Sequence, residues 1–160
     1  MAERTGKVVA VCTSAERGMQ KSAVERAELI EGLGIKDDAH AGRGHRQVSL
    51  LSTDSIEQIR SRGIDTFPGI FGENLVVDGL ELMSLPVRTV LSVGEALIEI
   101  TQIGKECHSR CAIYDQAGDC VMPREGVFAK VLDGGFVSPG DSVEVLRRAC
   151  PDCPCGLETC

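Results

Sequence analysis

The residues best equipped for chemistry lie in the run Gly104-Lys-Glu-Cys-His-Ser-Arg-Cys111, where Lys105, Cys107, His108, Arg110 and Cys111 fall within seven positions. A cysteine reacts and binds metal as its thiolate, and cationic neighbours lower the thiol pKa. Cys107 and Cys111 are therefore candidates for a metal ligand, a nucleophile or a sulfur carrier. The plainer alternative is a small buried cysteine that happens to have basic neighbours. A third cysteine, Cys120, follows nine residues after Cys111.

Three further groups of residues have chemical potential. Between Gly34 and Gln47 stand Asp37, Asp38, His40, Arg43, His45 and Arg46, and no acidic residue occurs from Ala39 to Arg46. A basic island on a glycine-rich loop suits an anionic ligand, because glycines let backbone N–H groups approach it. A solvated loop with incidental charges is the ordinary alternative. Gly69-Ile-Phe-Gly-Glu-Asn-Leu75 puts Glu73 and Asn74 beside a turn, where they would face a ligand or simply cap their own backbone. Arg124, in Pro123-Arg-Glu-Gly126, is suited to bidentate contact with a phosphate or carboxylate, or to pairing with a surface acid. The last group is Cys150, Cys153, Cys155 and Cys160, four thiols in eleven residues. Four sulfurs fit tetrahedral zinc or an iron–sulfur cluster, and accessible thiols also fit a dithiol or persulfide arm.

The elements that must position these residues are mostly short strands. Lys7–Cys12 is apolar and β-branched, Gln47–Leu51 and Asn74–Val77 read as strands, and Ala96–Thr101 alternates with period two. Val24 to Ile30 leaves helix and strand open. Ser142–Leu146 reads as a closing strand after the Pro139-Gly140-Asp141 turn. One helix is expected over Ser55–Arg62, with Asp54 as N-cap and Gly63 beyond its end. A second short helix is expected over Gly126–Leu132 from the spacing of Phe128, Val131 and Leu132. Many short strands between glycine turns predict a mostly-β barrel or sandwich with a few short helices. The composition changes after Arg148, which divides the chain into a domain, 1–148, and a cysteine-rich tail, 149–160.

Bulk composition excludes several classes. A chain of 160 residues makes one domain. A net charge of -7 and an aromatic content of 3% oppose both phosphate-backbone binding and base stacking. No apolar run is long enough to span a membrane. The polar start, Met1 to Lys7, runs into a strand without a secretory h-region. A cytoplasmic protein is expected, in which clustered cysteines mean metal or redox chemistry rather than disulfides.

Taken in order, several segments resemble the MOSC domain, the family named for the C-terminal domain of molybdenum cofactor sulfurases. They are Glu28 to Gly42, Arg46-Gln-Val-Ser-Leu-Leu51, Gly69 to Leu75, Val93-Gly94, Glu99 to Cys107, Arg124-Glu-Gly-Val127 and Val137-Ser-Pro-Gly-Asp141. The resemblance implies a β-barrel related to the pyruvate-kinase barrel domain. It also implies binding of the molybdenum cofactor, a pterin carrying a phosphate and a dithiolene-held molybdenum or tungsten. Cys107 stands where the family places its metal-ligating or sulfur-carrying cysteine, although Glu106 replaces the usual proline. Relatives with an Arg-Cys pair point instead to Cys111, after Arg110. Asp37 replaces the usual glycine of the Gly-Asp-x-His loop. His40, Arg43, Arg46, Glu73, Asn74, Lys105, Arg110 and Arg124 become the candidate cofactor contacts, and a soft thiolate suits the metal.

Three functions compete. The first is a carrier that stores, sulfurates or delivers the cofactor, with a cysteine desulfurase, a molybdoenzyme or a cofactor-biosynthesis protein as partner. The second is a molybdenum-dependent reductase of N-hydroxylated compounds with a separate electron donor, since no flavin or nicotinamide fingerprint occurs. The third is a zinc-binding or partner-binding module acting through the tail.

Overall fold

The computed structural model of the protein describes residues 5–15, 21–39, 41–42, 44, 47–61, 63, 66–104 and 126–147. Among the described residues, eleven strands, one α-helix and one 3₁₀ turn follow in the order β1 (Thr5–Thr13), β2 (Ser22–Val24), β3 (Ala27–Ile30), β4 (Gly34–Ile35), β5 (Val48–Ser52), α1 (Thr53–Arg60), β6 (Leu75–Asp78), the 3₁₀ turn (Leu82–Ser84), β7 (Val90–Val93), β8 (Ala96–Ile103), β9 (Val127–Asp133), β10 (Gly135–Val137) and β11 (Ser142–Arg147). Strands β11-β7-β8-β9-β5-β6-β1 pair in that order, and β11 pairs back to β1. The result is a closed seven-stranded barrel. It is antiparallel except where α1 carries the chain from β5 to its parallel neighbour β6. Strand β2 adds to the far end of β1, and β10-β3-β4 form a small separate sheet.

The barrel interior is filled by inward side chains, among them Val8, Val11, Leu50, Leu75, Leu91, Ile98, Val127 and Val143, each with no exposure. Closure removes the exposed edges that an open sheet would present. The alternation of Ala96–Thr101 becomes β8, with Ala96, Ile98 and Ile100 inside.

A bulge in β1 decides what the outer face carries. Opposite β6, Val8 pairs with Val77 and Ala10 with Val76, so Val9 is the extra residue. A bulge shifts the alternation of a strand by one. Val8 and Val11 consequently both face inward, while Ala10 and Cys12 face outward with Val76 and are covered by Ile56 of α1.

Two expectations are corrected. Gly126–Leu132 is not helical; the segment is strand β9, paired with β5 on one side and β8 on the other. Val127, Ala129 and Val131 point into the barrel while Phe128 is buried from the other face. A central strand buried on both faces loses its polar alternation, and Phe128, Val131 and Leu132 then mimic helical spacing. The N-cap of α1 is Ser52, whose Oγ accepts the Ser55 N–H at 3.3 Å, and Asp54 lies inside the first turn. The open choice at Val24 to Ile30 resolves as strands β2 and β3.

Candidate functional site

On the outer face of β1, β5 and β6 lies a cluster of polar side chains almost without solvent contact. Ser49, Glu73 and Asn74 have zero exposure, Lys21 3% and Asp38 6%. Burying such groups is costly unless each is hydrogen-bonded, so their partners define the site.

Asn74 ties three strands together. Its Oδ1 accepts the Ser49 N–H at 2.9 Å and lies 3.1 Å from Ser49 Oγ, and its Nδ2 donates to the Cys12 carbonyl at 3.0 Å. Its main chain donates to Ser49 O and accepts from Cys12 N. Asn74 therefore serves neighbouring strands rather than its own turn. Glu73 does the reverse. Its two carboxylate oxygens accept the Gly69 and Phe71 N–H groups, each at 3.0 Å, and clamp the Gly69–Gly72 turn from inside. Burial raises the Glu73 pKa above the ordinary carboxylate value, and those N–H groups together with the Lys21 charge hold it down in part.

Lys21 is the cation of this cluster. Its Nζ lies 2.8 Å from Asp38 Oδ1 and 3.1 Å from Ser14 Oγ. Asp38 Oδ1 also accepts the Ser14 N–H at 3.0 Å. The Lys21 main-chain N–H donates to Gly69 O at 2.8 Å. Gly69 has φ +92, and a Cβ there would stand 2.0 Å from Lys21 O, so only glycine permits this approach. Cys12 sits beside them with its thiol pushed up to about 12, first by burial and then by Glu73. It is a neutral thiol at physiological pH and a poor metal ligand.

The loop that carries the basic island is pinned at several described positions. Ala39 N donates to Ser14 O, Ala41 N to Asp38 O and Gly42 N to Leu33 O. Gln47, 6% exposed, donates from Nε2 to both Gly32 O and Gly44 O, while its Oε1 accepts the Val131 N–H at 3.0 Å. His40, Arg43, His45 and Arg46 themselves lie outside the described residues. So do Lys105, Cys107, Arg110, Cys111 and Arg124, and the tail cysteines Cys150, Cys153, Cys155 and Cys160.

The frame around the Cys107 segment is nevertheless defined. Leu75, Leu50, Val127 and Ile103 stand opposite one another on β6, β5, β9 and β8. Three inter-strand steps of about 4.8 Å put Ile103 about 15 Å along the sheet from Leu75. Asn74 precedes Leu75 and Gly104 follows Ile103, so the Glu73–Asn74 turn and the start of the cysteine segment share this register line. Gly104 N donates to Gly126 O at 2.6 Å, which fixes both ends of the segment.

Two family-like pieces prove to be architectural. Gly94 N donates to Ser142 O, Val8 N donates to Asp141 O, and Asp141 Oδ2 accepts the Ser138 N–H. Val93-Gly94 and Val137 to Asp141 thus build the corner that closes the barrel. Lys21 and Gln47 are the residues that sequence reasoning did not single out, because a lysine in a polar loop and a glutamine at a strand start give no sign of burial. Among the described residues, no group of three or more His, Cys, Asp or Glu is arranged to hold a metal ion, and no helix is long and apolar enough to cross a membrane.

A closed β-barrel with a buried polar cluster on its outer wall, and sulfur-bearing and basic segments held at their ends, is the class of protein defined here. The MOSC domain family model matches residues 37–144, and the chain belongs to that family, which is associated with the molybdenum cofactor. It is similar to the uncharacterized protein YflK of Bacillus subtilis, with 26% identity over 145 residues. The match covers 83% of this chain but 65% of YflK, so the chain spans less than two thirds of that relative. The YuaD protein of Bacillus subtilis superposes with a TM-score of 0.75 at 20% identity, covering 91% of this chain and 98% of that one. YiiM from Escherichia coli gives a TM-score of 0.65 at 21% identity, covering 90% and 70% respectively. These two likenesses establish the fold.

Proposed function

We propose that this protein binds a molybdenum or tungsten cofactor and acts as a carrier of the cofactor or its sulfur during molybdoenzyme maturation. The observation that carries the reading is that the family match, residues 37–144, contains both the basic island and the Cys107–Cys111 segment. The donor chemistry fits the cofactor in kind. The described cysteine, Cys12, is unsuited to the metal, whereas Cys107 and Cys111 have Lys105, His108 and Arg110 as sequence neighbours, cations of the kind that favour a thiolate. Cys107 or Cys111 would hold the metal or a persulfide, and His40, Arg43, Arg46, Lys105, Arg110 and Arg124 would hold the phosphate. Glu73 would keep the Gly69–Gly72 turn rigid, and Asn74 would tie its end to β1 and β5. When bound, the cofactor supplies a sulfur-ligated metal centre able to exchange electrons or a sulfur ligand.

The protein's own contribution is orientation. The closed barrel fixes Gly104 and Gly126, and the Gln47 and Asp38 contacts fix the described positions of the basic loop, so the ordering cost at binding is reduced. A cysteine desulfurase would supply sulfur and a molybdoenzyme or cofactor-biosynthesis protein would receive the product. The tail cysteines would relay sulfur or hold zinc.

The test is elemental analysis of anaerobically purified protein from cells with intact cofactor synthesis, comparing wild type with C107A and C111A. Stoichiometric molybdenum or tungsten, lost in one variant, is the expected result and identifies the ligand. Zinc alone, unchanged in both variants, refutes the reading and moves interest to the tail. Turnover of an N-hydroxylated compound with an artificial reductant, lost in the same variant, would make the protein a reductase rather than a carrier.

A further inference from the structure

We infer that Lys21 is a positioning residue for the basic loop, fixing its start at Asp38 and Ala39 from beneath through Asp38 and Ser14 and thereby setting how well the loop retains an anionic ligand. The part about the ligand rests on the cofactor reading above; the part about the loop does not.

Lys21 joins three chain segments at one point. Its Nζ holds Asp38, at the start of the basic loop, and Ser14, at the end of β1. Its main chain interlocks with Gly69 of the Glu73 turn, where no side chain can be admitted. Asp38 in turn accepts the Ser14 N–H, and Ala39 N donates to Ser14 O. The loop therefore leaves the barrel wall through a ring of contacts closed by one ammonium group. The Lys21 and Asp38 side chains are 1% and 0% exposed.

A buried ion pair is a poor way to gain stability, because apolar residues of similar volume generally serve as well or better. What such a pair adds is direction. An ammonium and a carboxylate must face each other at hydrogen-bond distance, which excludes the alternative packings that an apolar plug would allow. A device of that kind has little use under a loop whose path does not matter. The loop above it carries His40, Arg43, His45 and Arg46 in sequence, in a protein whose net charge is -7. Fixing the described backbone at Asp38, Ala39, Ala41 and Gly42 limits the ordering that an anion must impose when it binds.

The experiment compares wild type, Lys21→Met and the double variant Lys21→Met/Asp38→Asn, all as full-length protein. Removing the ammonium takes the buried carboxylate's ion-pair partner away, so the single variant is expected to be destabilised overall, while the neutral double variant recovers cooperative unfolding. Two quantities are read: amide hydrogen exchange of a peptide covering 36–44 against peptides from β7 and β8, and molybdenum plus tungsten content. In the double variant, exchange in 36–44 is expected to rise at least ten-fold and metal content to fall at least ten-fold, with β7 and β8 within two-fold of wild type. Wild-type exchange in 36–44 overturns the proposal. An equal rise in every peptide also overturns it, since Lys21 would then be a general structural prop. Fast loop exchange with full metal content supports the anchor and overturns its link to the ligand. A wild type without either metal defeats the cofactor reading alone, and the exchange rates still decide the anchor.

Discussion

Replacing Asn74 tests whether the outer-wall cluster is held by hydrogen bonds. In N74A the Ser49 N–H loses its acceptor at 2.9 Å and the Cys12 carbonyl loses its donor at 3.0 Å, both in the interior. Each buried group left without a partner costs about 1–3 kcal/mol, so the pair costs about 4 kcal/mol. For a chain of this size that lowers Tm by about 8–16 °C. N74D is the more searching variant. The introduced carboxyl keeps an oxygen for the Ser49 N–H, but its second oxygen faces the Cys12 carbonyl, where only a protonated carboxyl can donate. The folded-state pKa of that carboxyl is then raised above the unfolded value. Its stabilising contribution is fully present below that unfolded value, about 3.9, and is lost as pH rises through the folded pKa. Relative to wild type at each pH, N74D should approach wild-type stability near pH 4 and fall toward N74A at pH 8. Calorimetric or urea unfolding of the three proteins from pH 4 to 8 measures this. A cost below about 1 kcal/mol for N74A, or an N74D deficit that does not change with pH, would refute the assignment.

Three other outcomes follow from the same cluster. G69A should lose more than about 3 kcal/mol, because its Cβ meets Lys21 O at 2.0 Å with φ at +92; a urea midpoint equal to wild type contradicts the interlock. Cys12, with its thiol pushed up to about 12, should resist iodoacetamide at pH 8 in the native protein and react on unfolding, as peptide mass spectrometry would report. Native labelling as fast as in urea would mean that the wall is open. Glu73 has a raised folded pKa, so its contribution is complete below the reference value of 4.5 and declines as pH rises through the folded value. Wild type should therefore lose stability relative to E73Q between pH 4.5 and 8, and parallel curves would show that Glu73 does not titrate differently on folding.

The sequence reveals the barrel better than the wall built on it. Alternation identifies Ala96–Thr101 because that strand buries one face only. The strand at Val127–Asp133 was legible as apolar but not as β, since burial on both faces removes the period. Strands Val90–Val93 and Gly135–Val137 are short and sit between turn residues, with little pattern to detect. Ser52 and Asp54 are both good N-caps by residue type, and only backbone geometry selects Ser52. Lys21 and Asp38 are 17 positions apart, and nothing in composition distinguishes a lysine buried against a carboxylate from one in water. Glu73 and Asn74 were legible as a polar pair beside a turn. Their partners, Ser49 and Cys12, belong to other strands, and such pairings become visible only once the register is known.

The single hydrogen bond from Gly104 N to Gly126 O separates two energetic problems. Joining the ends of a connection of about 21 residues costs about 3 kcal/mol of chain entropy on a logarithmic scale, and here the β8–β9 pairing meets that cost independently of what lies between. Doubling the length of the connection would add only about 0.6 kcal/mol. In chain entropy alone, a longer connection between Gly104 and Gly126 is therefore cheap for the barrel to close. The wall formed by Cys12, Ser49 and Asn74 is held by its own hydrogen bonds, so that entropy term does not enter it.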